Sequence, residues 1–180
     1  MYSCKPVVSV EPVGYESVAA DSLSWEGVWK QTNDGEKQVL YIKVINPKEG
    51  ILDVKLIDNN NTDEDNPKEV KFKAILKKGD KYNYINVLYG EILNKKDIDE
   101  KYKNTYLWGT IKKSKNKIII NYPDDHSFEE FINKKKLNGR INNDIIILNE
   151  SSSTITNFIE RKSFELIFDS DSLIFERSID

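Results

Sequence analysis

One cysteine, one histidine and three arginines are all that 180 residues offer of the side chains that commonly carry out catalysis or grip phosphate. A lone cysteine, Cys4, excludes an internal disulfide. Cys4 stands far from the only histidine, His126, so no Cys–His pair is legible and no nucleophile is singled out. Structural zinc needs a set of Cys and His ligands that is absent, and no metal or other cofactor is expected. Arginine is outnumbered by 24 lysines. The planar guanidinium fork best meets base edges and phosphates, and a net charge of −3 provides no attracting field. Nucleic acid is therefore not expected as a partner. No apolar run approaches the roughly 18 residues of a membrane-spanning helix.

What the chain does have is core-forming material. Hydrophobic residues make up 38% and aromatics 11%, enough to fill the interior of one domain of this length. The densest stretch is Leu23-Ser24-Trp25-Glu26-Gly27-Val28-Trp29-Lys30-Gln31, which holds two of the three tryptophans. Trp25 and Trp29 are expected on one opening strand, facing the same side unless a bulge at Gly27 turns one away.

From there to Tyr122 the pattern is short alternating segments separated by turns. Gln38 to Ile45 ends at Asn46-Pro47-Lys48-Glu49-Gly50, and Ile51 to Ile57 and Val70 to Leu76 alternate apolar with polar residues. Tyr84 to Leu93, Thr105 to Ile111 and Lys117 to Tyr122 follow, with Gly90 and Gly109 marking bends. The acidic run 58–66 has the oxygen of a calcium loop but lacks the glycine needed at its sixth position, so it reads as a solvated hairpin tip. After Pro123, Phe128, Phe131 and Ile132 form a helical stripe capped by Asp125 or Ser127. A hairpin around Asn142-Asn143 leads to a second helix at 153–162. Strands at Phe164–Phe168 and Leu173–Arg177, with a turn at 169–171, finish the chain.

The fold class expected is mainly β or α+β. Residues 23–122 form an antiparallel curved sheet or barrel, and the helix-containing segment 123–180 completes a single domain. The sheet has about seven to nine strands, and two short helices fall in the C-terminal third. Residues 1–22, with scattered Pro, Gly and small side chains, read as a flexible tether.

Two resemblances add to this reading. Cys4 ahead of a Pro/Val/Ser/Ala-rich spacer resembles the start of a mature bacterial lipoprotein, where the first cysteine is acylated. That implies a lipid anchor in the bacterial cell envelope, periplasmic or surface, with a cytoplasmic location if Cys4 is free. Gly27-Val28-Trp29 on a first strand resembles the G-x-W signature of the lipocalin-like calycin barrels. In that family the tryptophan closes one barrel end under an arginine from the last strand, which implies barrel-closing roles for Gly27, Trp29 and Arg177. It also implies a cup for an apolar ligand, with Tyr41, Phe72, Tyr84 and Trp108 as candidates to line it. The function expected is thus a non-enzymatic, lipid-anchored protein that binds a small apolar ligand. A protein-binding module of inhibitor or immunity type is the alternative, and a hydrolase using paired carboxylates stands third.

Overall fold

The computed structural model describes residues 5–33, 38–59, 68–92, 102–142 and 144–178. Cys4 and the acidic run from residue 60 to 66 lie outside the described residues. Eight strands close into an antiparallel barrel: β3 (Gly27–Gln31), β4 (Gln38–Asn46), β5 (Ile51–Asp58), β6 (Lys68–Lys78), β7 (Asn83–Leu88), β8 (Tyr106–Lys113), β9 (Lys117–Pro123) and β12 (Phe168–Arg177). Each pairs with its predecessor and successor among these eight, and β12 returns to β3 through Phe175↔Gln31, Glu176↔Lys30 and Arg177↔Trp29. Closure leaves none of the eight as a free edge strand.

Alternation sets the two faces. On β4, Leu40, Ile42 and Val44 are buried inside while Tyr41 and Lys43 face outward. The barrel interior is almost wholly aliphatic apart from Trp25, Trp29, Phe72 and Phe175.

A second layer covers the outside of β7 and β8. It consists of α3 (Asp125–Asn133), β10 (Gly139–Ile141), β11 (Ile146–Leu148), α4 (Ser152–Glu160) and α5 (Phe164–Ile167), all inserted between β9 and β12. The outward face of β7 and β8 carries Tyr84 and Trp108, and these pack with Phe128, Phe131, Ile155, Ile159 and Phe168 in a separate, aromatic core. The cap of α3 is Asp124 and not the expected Asp125 or Ser127: its side chain accepts from Ser127 N–H, while the Asp125 carboxylate accepts from Lys5 N–H. On α4 the Ser151 side chain accepts from Thr154 N–H.

The tether reading fails from residue 5 onward. Residues Val7–Ser9 form β1, which pairs in parallel with β11 and antiparallel with β8, and Val7, Val8 and Val13 are buried. Glu16–Ser17 (β2) pairs with the end of β6. Three polar side chains hold the intervening loop, and one of them, Thr156, accepts from Gly14 N–H at 2.9 Å. Asn86, fully buried on β7, accepts from Val13 N–H at 2.6 Å and donates to Val13 C=O at 3.0 Å, as a neighbouring strand would. The Ser152 hydroxyl lies 2.7 Å from the carbonyls of both Pro12 and Gly14, with one proton to share between them.

Three further local expectations are corrected. Trp25 ends a single helical turn, α1 (Ser22–Trp25), capped by Asp21, and the strand begins only at Gly27. The backbone reverses there at φ +138°, a conformation that favours glycine. Residues Tyr89–Ile92 form a helical turn, α2, because β7 has ended and the chain must turn across the barrel rim. Residues 164–167 are likewise helical, and 169–171 form a bulge within one continuous strand.

Candidate functional site

Strands that alternate in direction give the barrel two unlike ends. At one, the connections are the tight turns 47–50, 79–82 and 114–116. At the other lie the long ones: 32–37, 59–67, 89–105 and the whole excursion 124–167.

The short-turn end is plugged from within. Trp29 is fully buried, and its indole N–H donates to Trp25 C=O at 3.0 Å. The Arg177 guanidinium carbon stands 5.5 Å from the centre of the Trp29 ring. The same guanidinium donates to the carbonyls of Leu23 (3.1 Å) and Glu26, so it ties α1 across the barrel end. The Gly27 hydrogen side faces this group, where a Cβ would stand 3.3 Å from Arg177 Nε. The Lys113 ammonium approaches both tryptophan rings, at 5.2 and 5.8 Å. Burial lowers its pKa below the ordinary lysine value of 10.5, and the neighbouring Arg177 charge adds to this. Cation–π contact and hydrogen bonds to carbonyls thus offset the crowding of two cations.

Above this plug the interior is not filled. A cavity of about 160 Å³ runs from Trp25 upward between Leu52, Val54, Phe72, Val87 and Ile111. Toward the long-loop end it reaches Leu56, Ile92, Gln38 and Tyr122, and the rest of its lining is almost wholly apolar. The volume is decisive for what fits. It matches the roughly 150 Å³ at which an apolar cavity stays dry and takes a benzene-sized guest, and falls below the roughly 300–1,000 Å³ of drug-sized sites.

The residues that the resemblance pointed to are scattered by this geometry. Gly27, Trp29 and Arg177 meet at the plugged end. Phe72 faces the cavity. Tyr41 does not: it is 40% exposed on the outer wall beneath the Lys55 ammonium. Tyr84 also leaves the set, because the outer face of β7 and β8 is buried as deeply as the inner one, whereas Trp108 borders the cavity with its ring packed in the outer core. Tyr84 donates to Glu160 at 2.9 Å, and Trp108 packs edge-on against Phe128 and Phe168. The aliphatic lining, Leu52, Val54 and Val87 above all, was not singled out by sequence. The signal was present, since each lies on the apolar phase of its strand.

Among the described residues no group of three or more His, Cys, Asp or Glu could hold a metal ion, and no helix is long and apolar enough to cross a membrane. No protein-family model, no curated protein and no solved structure matches the chain.

Proposed function

We propose that this barrel is a non-enzymatic binding protein of calycin type, which takes a small apolar molecule into its interior. The observation that carries the reading is the apolar cavity, walled by aliphatic side chains and stopped at one end by Trp25, Trp29 and Arg177. A guest gains from leaving water in proportion to the apolar area it buries, and it meets almost no polar group that must be desolvated. Acylation of Cys4 would hold the protein at the bacterial cell envelope, with the barrel presented to the periplasm or the surface.

Toluene is the probe of choice because it is close to benzene in size. Calorimetric titration is expected to show saturable one-to-one binding, accompanied by a rise in Tm with ligand concentration. Val87→Phe, which fills the cavity, should abolish both effects while leaving the circular dichroism spectrum intact. Toluene heats that are unchanged in this variant, or absent from the wild type, would overturn the reading. Mass spectrometry of the N-terminal peptide from protein made in its own host tests the anchor. An unmodified Cys4 removes it and leaves the barrel reading intact.

A further inference from the structure

The barrel wall is not evenly knit. β8 and β9 share a ladder only from Thr110↔Asn121 to Lys113↔Ile118, next to the plugged end. Beyond it β8 pairs with β1 through Leu107 and Tyr106, while β9 stays with β12. Two features part the strands. A Cβ on Gly109 would stand 2.5 Å from Asn121 C=O, so the two backbones cross closely at that point before they diverge. Pro123 then has no N–H to offer a ladder. Opposite them, the bulge at 169–171 interrupts the register of β12 against β9.

A second cavity, of about 360 Å³, occupies the gap. Its rim carries Lys5, Gln31, Asn33, Asp169, Asp171 and Ser172. Leu107, Tyr122 and Leu173 border both this vestibule and the apolar interior. Where the strands have parted, these side chains stand between the two spaces.

We infer that the vestibule is the headgroup subsite of the barrel's ligand, and that the ligand is a small amphiphilic amine lying through the parted seam. This rests on the reading of the barrel as a binding protein and adds the class of molecule bound. The apolar volume has room for a short chain or single ring, and the adjoining space, apolar over most of its wall but rimmed by polar side chains, has room for what such a tail would be attached to. The sign of the head follows from which groups are already engaged. The Lys5 ammonium is ion-paired with Glu129. Asn33 donates to Ser172 C=O and accepts from Ile174 N–H. Asp169 accepts from Ser170 and from Asp171 N–H, and no described cation pairs with either aspartate. The vestibule therefore favours a cationic head and disfavours a carboxylate, as expected from Coulomb attraction near a wet surface.

Hexylamine, 1-hexanol and hexanoate, which share a tail and differ in head charge, test this by calorimetry at low ionic strength. Hexylamine is expected to bind about fivefold tighter than hexanol, with hexanoate weakest and the spread narrowing as salt is added. The isosteric double variant Asp169→Asn/Asp171→Asn should bring the hexylamine-to-hexanol ratio close to one without changing hexanol. Hexanoate binding as tightly as hexylamine, or a ratio untouched in the double variant, would overturn the inference. In a second arm, Leu173→Trp should slow hexylamine association at least tenfold, and an unchanged rate overturns the lateral placement. Failure of the barrel reading itself looks different: neither toluene nor any of the three hexyl probes binds.

Discussion

The two cores of this protein are built on opposite faces of the same strands, and they are packed to different standards. Inside the barrel, aliphatic side chains from eight strands leave a cavity of about 160 Å³. Outside β7 and β8, aromatic rings meet edge to face and close the space: Trp108 to Phe128 at 5.7 Å, Phe128 to Phe131 at 5.6 Å and Phe131 to Phe158 at 4.9 Å. Such pairs contribute beyond the area they bury. The outer core is also pinned by buried polar groups, Asn86 to Val13 and Tyr84 to Glu160, whereas the inner one has polar contacts at its ends, Arg177 at the plug and Gln31 at the other. The difference separates two jobs. The outer layer holds the insertion between β9 and β12 on the barrel, and the underfilled interior is free to accept a guest.

If the outer core is the better packed of the two, truncation there should cost the most. Phe128→Ala, at a fully buried ring with two edge-on partners, is expected to destabilise by about 3–5 kcal/mol in urea unfolding. A loss under about 1 kcal/mol would show that the outer layer is loose and the contrast mistaken. Asn86→Ala comes next, at about 3 kcal/mol, because it strands the N–H and C=O of Val13 in a buried site. Hydrogen exchange should show residues 5–17 losing protection in that variant while the barrel strands keep theirs.

Most of the barrel was legible because seven of its strands run on a clean period of two, or end at Gly and Pro turns. The Trp29–Arg177 pair was legible only through the resemblance of Gly27-Val28-Trp29 to the G-x-W signature, which implied it. What was not legible has physical causes too. Val7 and Val8 sit in a segment with too few apolar residues to show a period, and their burial depends on β8 and β11, which come about a hundred residues later. Tyr84 and Trp108 share an outward face that a helical layer covers, so both faces of β7 and β8 are apolar and alternation no longer tells inside from outside. Tyr41 is a different case: it shares its phase with Lys43, and the alternation alone would have placed it outside.

Tyr84 gives a pH handle on the outer core. Burial, and then the charge of Glu160 beside it, raise its pKa far above the ordinary tyrosine value of 10.0. The folded pKa exceeds the unfolded one, so this contribution to stability is complete below pH 10 and is lost as the pH climbs beyond. Tyr84→Phe should cost about 2 kcal/mol at neutral pH, for a hydrogen bond to a carboxylate. It should also flatten the alkaline limb of the stability profile. Some slope will persist, since burial raises Tyr82 and Tyr15 in the same direction. An alkaline limb identical to that of the wild type would remove Tyr84 from the pinning role.

The smallest expected effect separates the two cores most directly, because it asks each to accept the same extra methylene. Val54 faces the inner cavity, and Val13 is fully buried in the outer cluster. Val54→Ile places its added carbon where there is room. It should stabilise by about 0.5–1 kcal/mol, as cavity-filling changes commonly do. Val13→Ile has no such room, and its neighbours are held by Asn86 and by the Ser152 contacts on either side, so overpacking should destabilise by about 1–3 kcal/mol. The opposite signs are the test, and they carry a second readout. If the cavity is where toluene binds, Val54→Ile weakens its binding while Val13→Ile leaves it unchanged. Two substitutions of the same sign, with toluene binding equal in both, would mean that the interior closes up in solution and that the contrast between the cores is one of composition alone.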